Sequence, residues 1–391
     1  MPLRCLADDP ESRAVGDAVA DELIAALSKV PGLTVLSRLS TAALRDADVD
    51  VLQVARDRLR ASYLLDGSCS SGGGRIRIRA QLIDLASGEL VCAEVASVDE
   101  RELFLGQDIA IPAITAAIGR AMVDREVARV ASLPMPNLAS YSLYLGGVSL
   151  LHRLSRHDFL RSQELLQHVA ERAPRSAAPH AMLAKWHIFR MVQGWCDDRE
   201  RQGAAARDEA RRALDRDPAD ALSLAVDGLT SVIVDGNLDA AERSYRQALL
   251  GNAQEPYAWA FLSGVLAYRD QGDEAVQEAG RALALSPLDP SRFLFEAYLA
   301  HALIQAGRPV EAAESARESL RLNATHMPSH RLLIIALMLA GEEASARAAA
   351  ARHLQLEPMF SVRRYQARYP GRELPQAARY ADALRRAGVP E

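Results

Sequence analysis

Lysine is almost missing from this chain of 391 residues. Lys29 and Lys185 are the only two, so 44 of the 46 basic side chains are arginines. The skew looks like GC-rich coding and carries no chemistry by itself. Basic residues do not outnumber the 51 acidic ones, and the net charge of −5 gives no general attraction to nucleic acid or an anionic membrane. Aromatics make up 5%, too few for base-stacking platforms. Cys5, Cys69, Cys92 and Cys196 lie far apart with no C-x-x-C pair, which excludes a disulfide framework or a zinc ribbon. They are expected to be reduced, mostly buried thiols. The longest apolar run, Leu332–Ala340, falls far short of the ~20 residues that a spanning helix needs. The first thirty residues lack the basic start and apolar stretch of a signal peptide. Together these absences predict a soluble cytoplasmic protein with no membrane association.

What is present is ordinary folded composition, 49% apolar and 25% charged, at a length that suits two or three domains. The charge divides unevenly. Residues 1–133 carry 15 basic and 20 acidic side chains, and the remainder carries 31 of each. The whole deficit therefore lies in the first third, which points to two different modules.

In that first third, Val15, Val19, Leu23, Ala26, Leu27 and Val30 recur at three- and four-residue steps, which predicts a helix over Glu11–Val30. Pro31-Gly32 stops it, and Leu33–Leu36 is β-prone. A second helix is expected over Val51–Leu59 and a buried strand over Tyr63–Gly67. Arg75–Asp84 alternates charged and apolar residues behind Gly72-Gly73-Gly74, the pattern of a hairpin. A strand over Glu89–Ser97 and a helix over Asp108–Val130 complete an α/β domain with a mixed sheet. Ser71–Gly74 resembles a phosphate-binding loop, but no Gly-Lys-Ser/Thr and no helix follow it, so it reads as a hairpin tip. Arg75, Arg77 and Arg79 share one sheet face, expected to be solvated.

Pro134-Met135-Pro136 marks a linker, and beyond it the chain repeats itself. Gly236, Gly272, Gly307 and Gly341 are spaced by 36, 35 and 34 residues. A helix-ending slot recurs at Pro174, Pro218, Ala253, Pro287, Ala324 and Pro358. Small residues fall between the marks at Ala241, Ala275, Ala312 and Ala346. Glycine permits the left-handed turn between antiparallel helices, a small residue lets the pair approach closely, and proline suits the start of the next helix. The period near 34 matches the tetratricopeptide repeat. It predicts an all-α tetratricopeptide-repeat solenoid of six helical hairpins over residues 138–358, with a C-terminal helical cap or tail over 359–391. About ten extra residues near 192–202 are expected to lengthen one loop.

No nucleophile elbow, His-Glu-x-x-His helix, Walker loop or dinucleotide fingerprint occurs, so no catalytic, cofactor-binding or metal-binding residue is assigned. His180 and His187 with Cys196, Asp197 and Asp198 form the most metal-like neighbourhood and read as packing and solvent groups. His152 and His157 beside Asp158 read the same way. Asp8-Asp9 and Glu342-Glu343 suit helix starts. What remains is binding by architecture: stacked hairpins form a groove lined by first helices, suited to a protein or peptide partner. Trp186, Trp195, Tyr257, Trp259 and Tyr298 are the aromatics placed to face such a groove or, alternatively, to pack between helices.

Asp8-Asp9-Pro10-Glu11, Val19–Ser28, Pro31–Leu36, Tyr63–Ser68, Arg77–Asp84 and Ser87–Leu90 resemble the TolB-like amino-terminal module of bacterial signalling proteins, in which tetratricopeptide repeats follow. Arg379–Glu391 resembles the ending of such proteins. The resemblance implies a non-enzymatic regulatory or scaffold protein in signal transduction or transcriptional control. Such proteins often carry a class III adenylate/guanylate cyclase domain or a winged-helix DNA-binding domain. The alternatives are therefore the regulatory portion of a nucleotide cyclase, or a transcriptional regulator lacking its DNA-binding segment. No match to either effector occurs in this sequence, so direct nucleic-acid binding is not expected. The family's apolar opening strand is reduced here to Met1-Pro2-Leu3.

Overall fold

A computed structural model describes residues 3–5, 10–27, 33, 35–36, 50–72, 74–99, 102, 110–132, 140–286 and 289–391. Asp8, Asp9, Lys29, Pro31, Gly32, Gly73, the Pro134–Pro136 linker and Pro287 lie outside them, as does the side chain of Cys5. The chain divides into two compact units, Met1–Pro134 and Met135–Glu391. Described residues are mostly helical, with one small sheet near the N-terminus.

The first unit runs β1 (Arg4–Cys5), α1 (Pro10–Leu27), α2 (Val51–Asp57), β2 (Tyr63–Gly72), β3 (Arg75–Asp84), β4 (Leu90–Asp99) and α3 (Ala110–Ser132). The sheet order is β1-β2-β3-β4. Strands β2, β3 and β4 are antiparallel, and β1 adds a parallel pair with Ser68 and Cys69. Period-two alternation sets the register. Ile76, Ile78, Ala80 and Leu82 are buried while Arg75, Arg77 and Arg79 are exposed. A one-residue slip would exchange those faces. The apolar face meets Val19 and Leu23 of α1 and Ile114 and Ile118 of α3 in one core. Asp84, fully buried at the end of β3, fastens α3 by accepting from Arg125 Nε at 3.1 Å and from Arg129. Burial alone would raise its carboxyl pKa, but the Ala86 N–H and the two guanidiniums outweigh it and hold the group low. Two expectations change. The strand expected over Tyr63–Gly67 runs on to Gly72, and Leu33, Val35 and Leu36 belong to no strand. The short opening segment still contributes, through buried Leu3 and the β1 pairing.

In the second unit the described helices pair in chain order into six hairpins. They are α4 (Ser140–Arg153) with α5 (Arg156–Arg172), α6 (Ala178–Val192) with α7 (Arg199–Arg216), and α8 (Ala221–Thr230) with α9 (Leu238–Gly251). The rest are α10 (Pro256–Tyr268) with α11 (Gly272–Leu285), α12 (Arg292–Gln305) with α13 (Pro309–Leu322), and α14 (Met327–Leu339) with α15 (Glu343–Leu356). Two further helices, α16 (Val362–Arg368) and α17 (Pro375–Arg386), close the chain. Ala241, Ala275, Ala312 and Ala346 are all fully buried, where the paired helices come closest. Gly236, Gly307 and Gly341 take the left-handed conformation at the hairpin corners.

Gly272 departs from the expected pattern. It opens α11, and Asp270, at φ 64°, makes the left-handed step instead. Glycine is needed at 272 because a Cβ there would run into the backbone of Ala306. The extra residues near 192–202 also behave differently from the single lengthened loop expected. Part of the insertion is a loop, Gln193–Asp198. Part adds one turn to α7, which has 18 residues against 14 in α9, α11, α13 and α15. Asp198 caps that longer helix by accepting from Arg201 N at 2.9 Å.

Candidate functional site

The first helices of the repeat unit turn one side toward a shared concavity. A cavity of about 180 Å³ lies there. Its walls come from α6, α8 and the π turn that extends it (Ser231–Asp235), α10, α12, α14 and α16. Ile188, Leu229, Phe261, Leu294 and Ile335 give it an apolar surface, with Tyr298 and Tyr365 among its aromatic rings. Second helices are nearly absent from the wall. Arg199, the first residue of α7, is the exception, and the insertion places it there.

Charge enters at one end. Arg199, Arg331, Arg364 and Arg368 all line the cavity, and the nearby carboxylate is Glu357, 3.8 Å from both Arg331 and Arg368. That spacing is an ion pair without a hydrogen bond. Arg331 donates to the Val192 carbonyl at 2.6 Å and Arg199 to that of Met191 at 3.1 Å. Arg331 Nε and Glu357 Oε2 are buried without a hydrogen-bond partner among the described residues. Burial lowers the Arg199 and Arg331 guanidinium pKa values, and in each case the charge of Arg368 adds to the effect. His301 also lines the cavity, 6% exposed, with Nε2 unpartnered among the described residues. Burial holds its pKa down to about 4, so the ring is neutral at pH 7.

A second polar feature lies in the core of the same unit. Lys185 is fully buried on α6, and its Nζ donates to His152 Nε2 at 3.0 Å. The ammonium sits 3.6 Å from the centroid of the Tyr257 ring, a cation–π contact strengthened by the lack of water. The Tyr257 hydroxyl reaches Ser291 Oγ, and Ser291 Oγ lies 3.1 Å from His152 Nε2. Asn323 Nδ2 donates to the His152 carbonyl at 2.8 Å. Burial pushes the Lys185 amine down to about 7, against the pull of Asp289 and Glu255. Burial likewise raises Glu255 to about 7, and it lowers His152 with help from the charge on Lys185.

The five aromatics singled out from sequence occupy different places. Tyr298 lines the cavity. Trp186 is fully buried, stacked on Phe159 at 4.7 Å, with Nε1 donating to the Phe159 carbonyl. Tyr257 belongs to the lysine cluster. Trp195, in the insertion loop, packs edge-on to Phe159, and Trp259 is half-buried beneath Arg281. Burial of Trp186 and Tyr257 follows from their helix faces: both point between helices, where a large apolar ring is held best. His180 and His187 do not converge, since they bond separately to Glu209 and Gln202. Residues that sequence reasoning passed over are Lys185, Ser291, Arg199 and Arg331. The near-absence of lysine is the one signal that could have marked the first of them. Among the described residues, no group of three or more His, Cys, Asp or Glu side chains could hold a metal ion, and no helix is long and apolar enough to cross a membrane.

Comparison with known proteins adds context. Residues 6–110 match the family described as HilA/YgeH-like transcriptional regulator, second domain. A protein of Rhizobium meliloti (strain 1021), provisionally named adenylate cyclase 3, is 28% identical over 195 residues. That match covers 50% of this chain and spans only 33% of the relative's length. Among solved structures, Pseudomonas aeruginosa pilF is 20% identical and matches 52% of this chain and 90% of its own, with a TM-score of 0.36. TTC0263, a thermophilic TPR protein of Thermus thermophilus, is 18% identical over 52% of this chain and 98% of its own, with a TM-score of 0.38.

Proposed function

We propose that this chain is a regulatory or scaffold protein of bacterial signal transduction or transcriptional control, whose tetratricopeptide-like unit binds a protein or peptide partner. The observation that carries this reading is the concavity. Successive first helices present one apolar, arginine-bearing surface, which is how stacked hairpins of this kind make a binding face. The match of residues 6–110 to the second domain of a transcriptional-regulator family supports the regulatory context. The TolB-like resemblance of the same stretch supports it too, although that rests on sequence pattern alone. On this reading the chain itself catalyses nothing, needs no cofactor and acts in the cytoplasm. A second reading, the regulatory portion of a nucleotide cyclase, is favoured by the cyclase-named relative.

The test uses the full chain. Incubated with ATP or GTP and Mg²⁺ or Mn²⁺, it is expected to form no cyclic nucleotide. It should also show no salt-sensitive retention of duplex DNA. Either activity would overturn the non-enzymatic, non-DNA reading. Affinity capture from the native cell should recover a partner that Arg364→Glu, a charge reversal at the exposed cavity edge, releases. Recovery unchanged by that reversal would place the partner elsewhere.

A further inference from the structure

We infer that the cavity of the repeat unit is a receptor site for a small organic monocarboxylate with an aromatic or short aliphatic body, and that Arg199 and Arg368 hold its carboxylate. The cavity is the one whose surface carries the partner reading above, and the two are told apart by readout: carboxylate binding is measured on the purified chain, partner binding by capture.

Three observations converge on it. First is size. A dry apolar cavity of roughly 150 Å³ accepts benzene, so about 180 Å³ takes a body of about seven heavy atoms, with the head group at the cationic end. Second is charge. Four arginines line this cavity against one neighbouring carboxylate, Glu357. Arg199 and Arg368 both line the cavity, and burial, with the charge of Arg368 adding to it, lowers the Arg199 guanidinium pKa. Two guanidiniums on one half-buried wall are matched by an anion placed between them. Third is unused hydrogen-bonding capacity. Among the described residues, Arg331 Nε and His301 Nε2, on two side chains that line the cavity, have no hydrogen-bond partner. Native structures seldom leave such atoms unsatisfied without a reason.

The insertion gains a role from this. Its added helical turn places Arg199 at the cavity, so the departure from the 34-residue period supplies one of the four arginines there. The apolar wall argues against a sugar or free phosphate, which would leave that surface without a matching partner.

The experiment is calorimetric titration of the full chain with phenylacetate and hexanoate, each against its neutral amide. Saturable binding is expected for at least one of the two acids, about tenfold tighter than for its amide, since charge-assisted hydrogen bonds are worth about that factor. Arg199→Gln and Arg368→Gln should each bring the acid down toward its amide while leaving the amide unchanged. Ala297→Leu, which fills the wall at a buried small residue, should weaken both. Equal affinity for acid and amide would overturn the inference. So would acid binding that both arginine variants leave intact, or failure of both acids to bind at millimolar concentration.

Discussion

At the scale of single residues, the second unit places its most unusual side chain where sequence gives least warning. Lys185 reads on paper as one polar position on an otherwise apolar helix face, and nothing local says that it is buried. Only the fold brings His152, Tyr257 and Ser291 around it. Its effect on stability has a definite sign. The unfolded chain protonates this amine near the ordinary value of 10.5, whereas the folded chain waits until about 7. Between those values the unfolded state binds the extra proton, so the stability of this unit falls as pH drops through the window and rises as pH climbs through it. Lys185→Met keeps the volume and removes the titration. Wild type is therefore expected to gain on the variant between pH 7 and pH 9 by on the order of 2 kcal/mol, roughly 4–8 °C in Tm for a unit of this size. Thermal melts of both chains at the two pH values check this. A gap that does not change with pH would mean that the amine is solvated. The residues that could be read directly were those governed by local rules. Arg75, Arg77 and Arg79 are exposed and Ile76 and Ile78 buried, because period-two alternation needs only neighbours in sequence.

At the scale of elements, the hairpins were legible because their punctuation repeats. A left-handed glycine and a buried alanine each leave a mark at a fixed spacing. Gly272 shows where that reading stops, since its requirement comes from the neighbouring Ala306 backbone and not from its own turn. The same distinction separates two other helical glycines. Gly228 on α8 faces the ring of Tyr245, which lies where a Cβ would be. Gly280 on α11 is exposed with open space around it. Helix propensity alone predicts that alanine stabilises at both positions by about 0.5–1 kcal/mol. Packing predicts opposite signs. Gly280→Ala should raise stability by that amount, while Gly228→Ala should lower it by about 1–3 kcal/mol as the tyrosine is displaced. Urea unfolding of the two variants decides the matter. Stabilisation at both positions would mean that the α8–α9 contact yields freely.

At the scale of the repeat unit, one property separates this array from a linear stack. Repeat proteins hold together through nearest-neighbour interfaces, so opening one hairpin is felt directly only by its neighbours. Here the insertion and the first hairpin also reach far along the chain. Gln193 donates to the Thr325 carbonyl at 2.8 Å and accepts from Met327 N at 2.9 Å. Asn323 donates to the His152 carbonyl, and Thr325 Oγ1 donates to that of Leu154. These bonds join residues more than 130 positions apart. No periodicity could announce them, because a repeat pattern records only what each unit owes its neighbour. They tie the ends of the cavity wall together and make it one closed body. Opening the α4–α5 hairpin must then break contacts with residues 323–327 as well. Gln193→Ala removes both bonds of the bridge and leaves the half-buried Thr325 carbonyl and the buried Met327 amide without them, a loss of about 1–3 kcal/mol. Hydrogen exchange read by mass spectrometry should show protection falling together in residues 140–172 and 323–331, while residues 238–251 keep theirs. A linear stack responds differently, with faster exchange confined to the neighbours of residue 193, and that pattern would exclude closure.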